Sequence, residues 1–224
     1  MKRSEINRLI INAISFFESM NFSLPPWAYW SVDTWKERKD HCAEIFDNQL
    51  GWDLTDFGLG NFSASGLLLF TLRNGNPKKG LKSYAEKIMV VEENQLTPMH
   101  FHWSKMEDII NRGGGNLMIQ LYASTDKEEL SSQDFELSLD GISRICGPGE
   151  VVVLHPGESI TLNQGLYHSF YGEPGKGKIL VGEVSAVNDD HSDNRFLEKM
   201  GRFPEIEEDE AIAYLLSKDY VNVN

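Results

Sequence analysis

Two histidines and a glutamate lie close together within residues 98–113. His100 and His102 are two positions apart, so on a strand both imidazoles leave the same face while Phe101 leaves the other. The four residues between His102 and Glu107 are enough for the chain to turn back and begin a second strand. Imidazole nitrogens and a carboxylate that converge from adjacent strands are typical ligands of a divalent first-row metal. The spacing therefore predicts a metal site.

A fourth candidate ligand, His168, lies further along the chain in residues 165–168 (GLYH). A lone pair of strand histidines can simply be exposed, but an ordered set of four ligands with turn glycines between them is more specific. This set resembles the metal pattern of the cupin superfamily. In that pattern two histidines separated by one residue are followed, after four residues, by a glutamate and, much later, by a glycine-any-any-histidine motif. The resemblance implies an all-β fold, the cupin jelly-roll barrel, in which these four side chains surround one ion.

The composition is that of an ordinary globular protein with an acidic balance. Of 224 residues, 41% are hydrophobic and 25% charged, and the formal net charge is −13. This charge argues against nucleic acid or an anionic membrane as a partner, because both would be repelled. Cys42 and Cys146 make no disulfide framework, which favours a reducing cytoplasm. No long apolar run follows the first residues, so we expect neither a signal peptide nor a membrane span.

Residues 1–65 are predicted to form an N-terminal extension that packs on the barrel within one domain. Apolar residues recur there with helical spacing and predict a helix of about fifteen residues, with Ser4 as its cap. They are Ile6, Leu9, Ile10, Ala13, Ile14 and Phe17. The aromatic residues that follow are interpreted as a hydrophobic strap across the barrel, with a carbohydrate-binding platform as the alternative. They are Trp27, Tyr29, Trp30 and Trp35.

Residues 66–190 carry the strand signals and are predicted to form the barrel. Short apolar runs alternate with turn sequences such as Asn74-Gly75 and Asp140-Gly141. The predicted strands are residues 67–72, 84–92, 98–103, 107–111, 116–123, 135–139, 151–154, 159–162, 165–171 and 179–187. About ten short strands at regular spacing indicate a sandwich or barrel. Residues 191–224 are a C-terminal extension, with one short helix predicted over 208–217.

Three stretches resemble the D-lyxose isomerase family: residues 99–107 (MHFHWSKME), 182–190 (GEVSAVNDD) and 201–209 (GRFPEIEED). The resemblance covers nearly the whole chain. It implies a manganese-dependent aldose–ketose isomerase, a cytoplasmic homodimer that acts on monosaccharides, converting D-lyxose to D-xylulose and D-mannose to D-fructose. The family's metal ligands fall on His100, His102, Glu107 and His168. Because the ligand pattern does not separate the metals, Co²⁺, Fe²⁺, Ni²⁺ and Zn²⁺ remain alternatives to Mn²⁺.

Glu183 is the candidate catalytic base. It shares a face of the predicted strand 179–187 with Val181 and Ser185, and every other residue of that strand is uncharged. A lone carboxylate on such a strand is costly unless it has a partner or a task. Isomerising an aldose moves a proton from C2 to C1 through an enediol, and this requires a base and a polarised oxygen, which a metal would supply. A structural ion pair is the alternative role of Glu183.

Other charged residues are candidates for the same chemistry. Lys105, in the turn between the ligand strands, is a candidate to stabilise a developing enolate oxygen, and Lys87, on the preceding strand, is a candidate substrate contact; both can instead be ordinary exposed lysines. Asp190, Asp193 and Arg195 follow the Glu183 strand in a polar loop, where hydroxyl-binding groups are expected at a barrel mouth.

Three alternatives remain open at the level of sequence. The same ligands would hold iron in a cupin oxygenase, which oxygen uptake would reveal. A non-enzymatic sugar-binding module would bind pentoses without changing the ratio of aldose to ketose. Isomerisation of a sugar phosphate is the third, and the acidic balance and the lack of a lysine and arginine cluster near the motif argue against it.

Overall fold

The computed structural model describes residues 1–76, 82–189 and 192–223, and these form a mostly β structure with few helices. The α-helices in these ranges are α1 (Arg3–Ser19), α2 (Val32–Arg38) and α3 (Ala43–Asp47). Short 3₁₀ helices cover Pro26–Tyr29, Lys39–His41 and Ser217–Asn222. No helix in the described ranges has the length and apolar character needed to cross a membrane.

The strands fall into two antiparallel sheets. They are β1 (Gly51–Thr55), β2 (Leu67–Arg73), β3 (Tyr84–Val91), β4 (Thr97–Phe101), β5 (Glu107–Gly114), β6 (Leu117–Ala123), β7 (Phe135–Leu139), β8 (Ile142–Cys146), β9 (Val151–Leu154), β10 (Ser159–Leu162), β11 (Leu166–Gly172), β12 (Ile179–Ala186) and β13 (Arg195–Phe196). The order in the eight-stranded sheet is β1-β2-β3-β12-β5-β10-β7-β8, and in the five-stranded sheet it is β13-β4-β11-β6-β9. The predicted all-β class is confirmed.

The eight-stranded sheet is apolar on both faces. Met89 packs in one cluster with Ile119 of the five-stranded sheet, which forms the barrel interior. Its neighbours Ile88 and Val90 leave the other face and pack with Ile10 of α1. Fully burying a side chain such as Ile10 contributes about 1.5–3 kcal/mol. The helix therefore closes the outer face of the sheet, as the amphipathic pattern predicts.

All ten predicted strands are present with small shifts at their ends, but three were missed. β1 lies among glycines and polar turns, so the sheet already begins inside the predicted N-terminal extension. β8 is an edge strand whose first four residues are exposed, and it therefore lacks the alternation of a half-buried strand. β13 has only two residues. β8 and β13 carry no periodic signal in the sequence, whereas Trp52 to Thr55 of β1 alternate between apolar and polar residues over four positions only.

The helix predictions have mixed outcomes. α1 is confirmed, but its N-cap is Lys2, and Ser4 instead donates its hydroxyl to Asp209 at 2.8 Å. The short helices α2 and α3 were missed. The helix predicted over 208–217 is wrong: residues 208–216 form no helix, and Asn7 of α1 binds this segment by donating its side-chain amide to the Ala211 carbonyl at 2.8 Å.

Three of the four aromatic residues after α1, Trp27, Trp30 and Trp35, pack into the body of the protein, whereas Tyr29 is exposed. Trp35 is only 3% exposed. The Trp27 ring lies 4.8 Å from Phe70 on β2, and Trp35 lies 5.4 Å from Tyr220 near the C-terminus. The segment therefore joins both ends of the chain to the outer face of the eight-stranded sheet.

Candidate active site

Three histidines converge on the five-stranded sheet. His100 on β4 and His168 on β11 are direct partners in the strand register, and His102 follows immediately after β4. The ring centroids of His100 and His168 are 4.2 Å apart, and those of His100 and His102 are 5.2 Å apart. One ring nitrogen from each histidine lies within 4.8 Å of the others, so the three could together hold a metal ion.

Backbone carbonyls orient all three rings. The Nδ1 atoms donate to the carbonyls of Pro98 (2.8 Å, His100), Asp193 (3.0 Å, His102) and Leu166 (2.9 Å, His168). A carbonyl oxygen only accepts, so in a neutral imidazole held in this way Nδ1 carries the proton and Nε2 keeps its lone pair. This is the arrangement that metal-ligating histidines adopt, and the three residues fit a divalent ion.

Two observations support this fit. Within the described residues, His168 Nε2 is buried and receives no hydrogen bond of acceptable geometry, although Glu107 Oε1 lies 3.2 Å away. Burial, followed by the nearby imidazoles of His168 and His102, holds the pKa of His100 well below its usual value. The neutral form that a metal requires is therefore favoured at His100.

Glu107 approaches the histidines from the eight-stranded sheet, at the first position of β5. Its Oε1 lies 3.3 Å from His102 Nε2 and 3.2 Å from His168 Nε2, whereas the tight group of ring nitrogens consists of the histidines alone. Its Oε2 lies 2.6 Å from the Nζ of Lys105. Burial opposes the charged form, but the Lys105 ammonium and the two imidazoles outweigh it and hold the pKa of Glu107 well below its usual value. A charged carboxylate therefore faces the histidines.

A second buried polar cluster adjoins the first. Glu183 on β12 pairs in register with Lys87 on β3, and the Lys87 Nζ lies 3.3 Å from Glu183 Oε1. Lys105 lies 3.0 Å from the same oxygen, and the Ser185 hydroxyl donates to it at 3.2 Å. The exposed fractions of Lys87, Lys105, Glu107 and Glu183 are only 3–5%. Two lysines and two glutamates balance in formal charge, which is what a buried ionic cluster requires.

One cavity of about 330 Å³ joins these groups. Its polar wall is formed by Lys87, His100, His102, Lys105, Glu107 and Glu183. Its apolar wall includes Leu69, Met89, Ile109, Phe170, Phe196 and Met200. His168 does not line the cavity, although its ring lies against that of His100. The sequence-predicted ligands, base and lysines are therefore brought together at one site.

The residues expected to bind hydroxyls are not brought into the cavity. Asp193 accepts hydrogen bonds from the backbone N–H groups of Ser104 (2.7 Å) and Lys105 (2.8 Å), so it fixes the turn between the ligand strands. Arg195 pairs with Glu128 at 2.8 Å, whereas its neighbour Phe196 lines the cavity. Successive side chains of a strand leave opposite faces, which accounts for the difference. Asp190 lies outside the described residues.

Sequence reasoning missed polar residues that do line the cavity: Asp53, Thr55, Thr97, Asn194 and Arg202. Arg202 Nη2 lies 3.2 Å from Asp53 Oδ2, which joins the C-terminal segment to β1 across the cavity. No local pattern marks a pair 149 positions apart. Thr97 was missed because residues 98–103 were predicted as the strand and Thr97 lay just before it.

A sequence model of the D-lyxose isomerase family matches residues 1–220 of the chain. The chain belongs to this family. The D-lyxose/D-mannose isomerase of Serratia proteamaculans is 48% identical over 224 residues, covering 99% of this chain and 98% of that protein. The D-lyxose/D-mannose isomerase of Escherichia coli O157:H7 is 49% identical and covers 98% of both. The family resemblance of the sequence motifs is therefore confirmed.

The fold of this D-lyxose isomerase family member is similar to that of solved L-ribose isomerases. A variant of the enzyme from Acinetobacter sp. DL28 in complex with L-ribose superposes with a TM-score of 0.61 at 13% identity, covering 92% of this chain and 98% of that one. The enzyme from Cellulomonas parahominis gives the same TM-score at 17% identity and the same coverage. At these identities the likeness shows the fold, a cupin-like barrel.

Proposed function

We propose that this protein is an aldose–ketose isomerase that interconverts D-lyxose and D-xylulose, and D-mannose and D-fructose. The observation that carries the proposal is the buried Glu183–Lys105–Lys87 cluster beside a group of three histidines, two of which, His100 and His102, line the same cavity. The names of the relatives from Serratia and Escherichia support the choice of sugars. Family membership also favours an isomerase over an oxygenase or a sugar-binding module.

The cavity suits a neutral monosaccharide. Its volume of about 330 Å³ lies at the lower end of the range for small-molecule sites. Charged and apolar side chains follow each other along the same face of a strand, as Lys87 and Met89 do on β3, so a polyol can place its reacting end against the first kind and its carbon skeleton against the second. The formal net charge of −13 disfavours a phosphorylated sugar, which is itself an anion.

Glu183 is proposed as the base that moves the proton. Its carboxylate takes the proton from C2 of the aldose, an enediol forms, and the same carboxylate returns the proton to C1. The proton of the C2 hydroxyl passes to the C1 oxygen, so the product is the ketose and no hydrogen is lost. The ammonium groups of Lys105 and Lys87, at 3.0 and 3.3 Å, hold Glu183 in place and stabilise the negative charge that develops.

His100, His102, His168 and Glu107 are proposed to hold one divalent ion, and Mn²⁺ is the proposed identity. The bound ion would supply Lewis-acid polarisation of a sugar oxygen. Support for the ligand set comes from the three Nε2 lone pairs and the charged Glu107 carboxylate. Co²⁺, Fe²⁺, Ni²⁺ and Zn²⁺ suit the same donors. Elemental analysis of the protein as purified measures which metal it carries.

A homodimer and a cytoplasmic location complete the proposal. Both follow from the family resemblance, and the acidic composition with two unpaired cysteines is compatible with a reducing compartment. Sedimentation equilibrium measures the mass of the assembly. A mass of one chain at micromolar concentration would rule out a stable dimer.

The test of the function is an assay with single metals. Protein stripped of metal is incubated with D-lyxose, D-mannose, D-xylose, D-ribose and mannose 6-phosphate after addition of one divalent metal at a time. Ketose should form from D-lyxose and D-mannose, fastest with Mn²⁺. Activity on mannose 6-phosphate far above that on mannose, or oxygen uptake in place of ketose formation with iron, would contradict the proposal.

A further inference from the structure

We propose that the hydroxyl of Thr97 binds a hydroxyl on the distal half of the sugar, at C4 or beyond. Thr97 lines the cavity and is only 3% exposed. Its Oγ1 is buried, and no atom of the described residues forms a hydrogen bond with it, so a turn of the side chain about the Cα–Cβ bond would be needed to bring the hydroxyl to the cavity that Thr97 lines. A buried hydroxyl without a hydrogen-bond partner costs free energy, and a ligand hydroxyl at this position would supply the missing partner.

A β-bulge accounts for the direction of Thr97. The register of β4 with β11 pairs His168 with His100 and Phe170 with Thr97. The two pairs are three residues apart on β4 but only two residues apart on β11, so β4 contains one extra residue between them. In a regular strand, residues 97 and 100 would leave opposite faces. The extra residue brings Thr97 to the face that carries His100, and both residues line the cavity. Bulges beside functional sites commonly redirect a side chain in this way.

The position along β4 selects the part of the sugar that Thr97 reaches. The reacting carbons C1 and C2 must lie beside Glu183 and the histidines. Thr97 is three residues from His100, a separation of at most about 10 Å along an extended strand. A group at that distance contacts the far end of a sugar that is anchored at C1 and C2. The contact therefore serves positioning of the distal hydroxyls and not the proton transfer.

The surroundings make a single hydroxyl matter. The cavity wall near the bulge includes Phe170, the strand partner of Thr97, and Met89 and Leu69 are also on the apolar wall. Such side chains pack against carbon but offer no hydrogen bond. A sugar hydroxyl placed against these side chains would lose its bonds to water and gain a replacement from Thr97, so the cavity would distinguish sugars by the presence of a hydroxyl at this point.

The inference rests on the proposed isomerase function, and the test compares Thr97→Val with Thr97→Ser. Valine keeps the shape and removes the hydroxyl, whereas serine keeps the hydroxyl. In Thr97→Val we expect KM for D-mannose to rise about 3- to 10-fold with kcat nearly unchanged, the range of one uncharged hydrogen bond. Thr97→Ser should stay within about twofold of wild type.

Deoxy sugars and stability separate binding from a structural role. KM is measured for 4-, 5- and 6-deoxy-D-mannose with both proteins. For the sugar that lacks the hydroxyl contacted by Thr97, wild type and Thr97→Val should have equal KM. The melting temperature of sugar-free Thr97→Val should equal or exceed that of wild type, since a methyl group replaces an unpaired hydroxyl. An unchanged KM for D-mannose, a KM defect that persists with all three deoxy sugars, or a melting temperature lowered by several degrees would overturn the inference.

Calorimetric binding of D-mannitol keeps this test separate from the proposed function. Thr97→Val should bind the polyol about 3- to 10-fold more weakly than wild type does. If wild type forms no ketose but this difference in affinity is found, the proposed function fails and the Thr97 inference stands. If wild type forms ketose and Thr97→Val binds D-mannitol and turns over D-mannose as wild type does, the proposed function stands and the Thr97 inference fails.

Discussion

The Nζ of Lys105 lies 3.0 Å from Oε1 of Glu183, although the two residues are 78 positions apart in the chain. The same ammonium lies 2.6 Å from Oε2 of Glu107. Lys105 therefore connects the carboxylate beside the histidines to the carboxylate proposed as the base. A substrate whose reacting carbons lie between them meets both groups in fixed positions.

Replacement of Lys105 by methionine should destabilise the protein and inactivate it. The change leaves Glu107 and Glu183 buried without the ammonium between them, and breaking such a cluster typically costs about 3–5 kcal/mol. Denaturant unfolding measures the loss, and kcat should fall by at least about 100-fold because the base is no longer held. Lys127→Met, at an exposed position, is the matched control. Equal stability of the two variants would contradict this role of Lys105.

Replacement of His168 by alanine should abolish tight metal binding. The Nε2 lone pair of His168 is buried and faces Glu107 and the other imidazoles, so its loss removes a ligand. Loss of a residue that only hydrogen-bonds to a metal ligand lowers metal affinity about 10- to 100-fold, and loss of His168 itself should lower it further. Competition with a fluorescent chelator gives the affinity. His155→Ala is the control, since His155 is exposed and bonds Asn116. Wild-type affinity in His168→Ala would exclude His168 as a ligand.

Replacement of Asp193 by alanine distinguishes positioning from substrate binding. The Asp193 carboxylate holds the backbone of Ser104 and Lys105, and its carbonyl orients His102. Loss of the carboxylate releases the backbone that carries this carbonyl, so metal affinity should fall about 10- to 100-fold and kcat should also fall. A residue that bound a sugar hydroxyl would instead raise KM and leave metal affinity unchanged. That second pattern, measured by steady-state kinetics with a metal titration, would restore the role first expected from the sequence.

The candidate site was largely predictable because three of its four proposed metal ligands are close together in sequence. His100, His102 and Glu107 lie in one strand-turn-strand segment, so residue type and a period of two are enough to place them. Glu183 was found because it is the one charge on an otherwise uncharged strand. This second signal depends on the cost of burying charge, which the sequence reveals wherever a strand is recognised.

The remaining features depend on long-range pairing that no local pattern encodes. Asp53 reaches the cavity only because β1 joins the sheet, and Arg202 does so only because the C-terminal segment returns to β1. Arg195 and Phe196 show the same limit, because a two-residue strand has no periodicity from which to tell its inner from its outer face. Thr97 needed the bulge in β4, which only the register with β11 reveals.

The pairing of Glu208 with Arg3 predicts a pH-dependent contribution to stability. Arg3 is buried and donates to Glu208 at 2.7 and 2.8 Å and to Asp219 at 2.9 and 3.0 Å. The hydrogen bonds from Arg3 lower the pKa of Glu208 below its usual value. The charged form therefore stabilises the fold above the unfolded pKa of about 4.3, and this contribution is lost as pH falls through the lower folded value.

The matching measurement compares Glu208→Gln with wild type by urea unfolding at about pH 7 and about pH 3. The Glu208 side chain is 56% exposed, so the destabilisation at neutral pH should be at most about 1 kcal/mol. It should shrink in acid. Glu18→Gln, at an exposed position on the same helix as Arg3, should show no such pH dependence. A difference that grew in acid would have the wrong sign for this pair.

The account as a whole depends on Glu183 moving the proton of an aldose. The direct measurement follows D-lyxose by NMR in D₂O with metal-loaded wild type and with Glu183→Gln, whose metal content is determined in parallel. Wild type should form D-xylulose with deuterium at C1, at least in part. Glu183→Gln should keep its metal but lose about two to four orders of magnitude in kcat, because an amide cannot accept the proton. Near-normal turnover by Glu183→Gln, or no ketose from the fully metal-loaded wild type, would contradict the account.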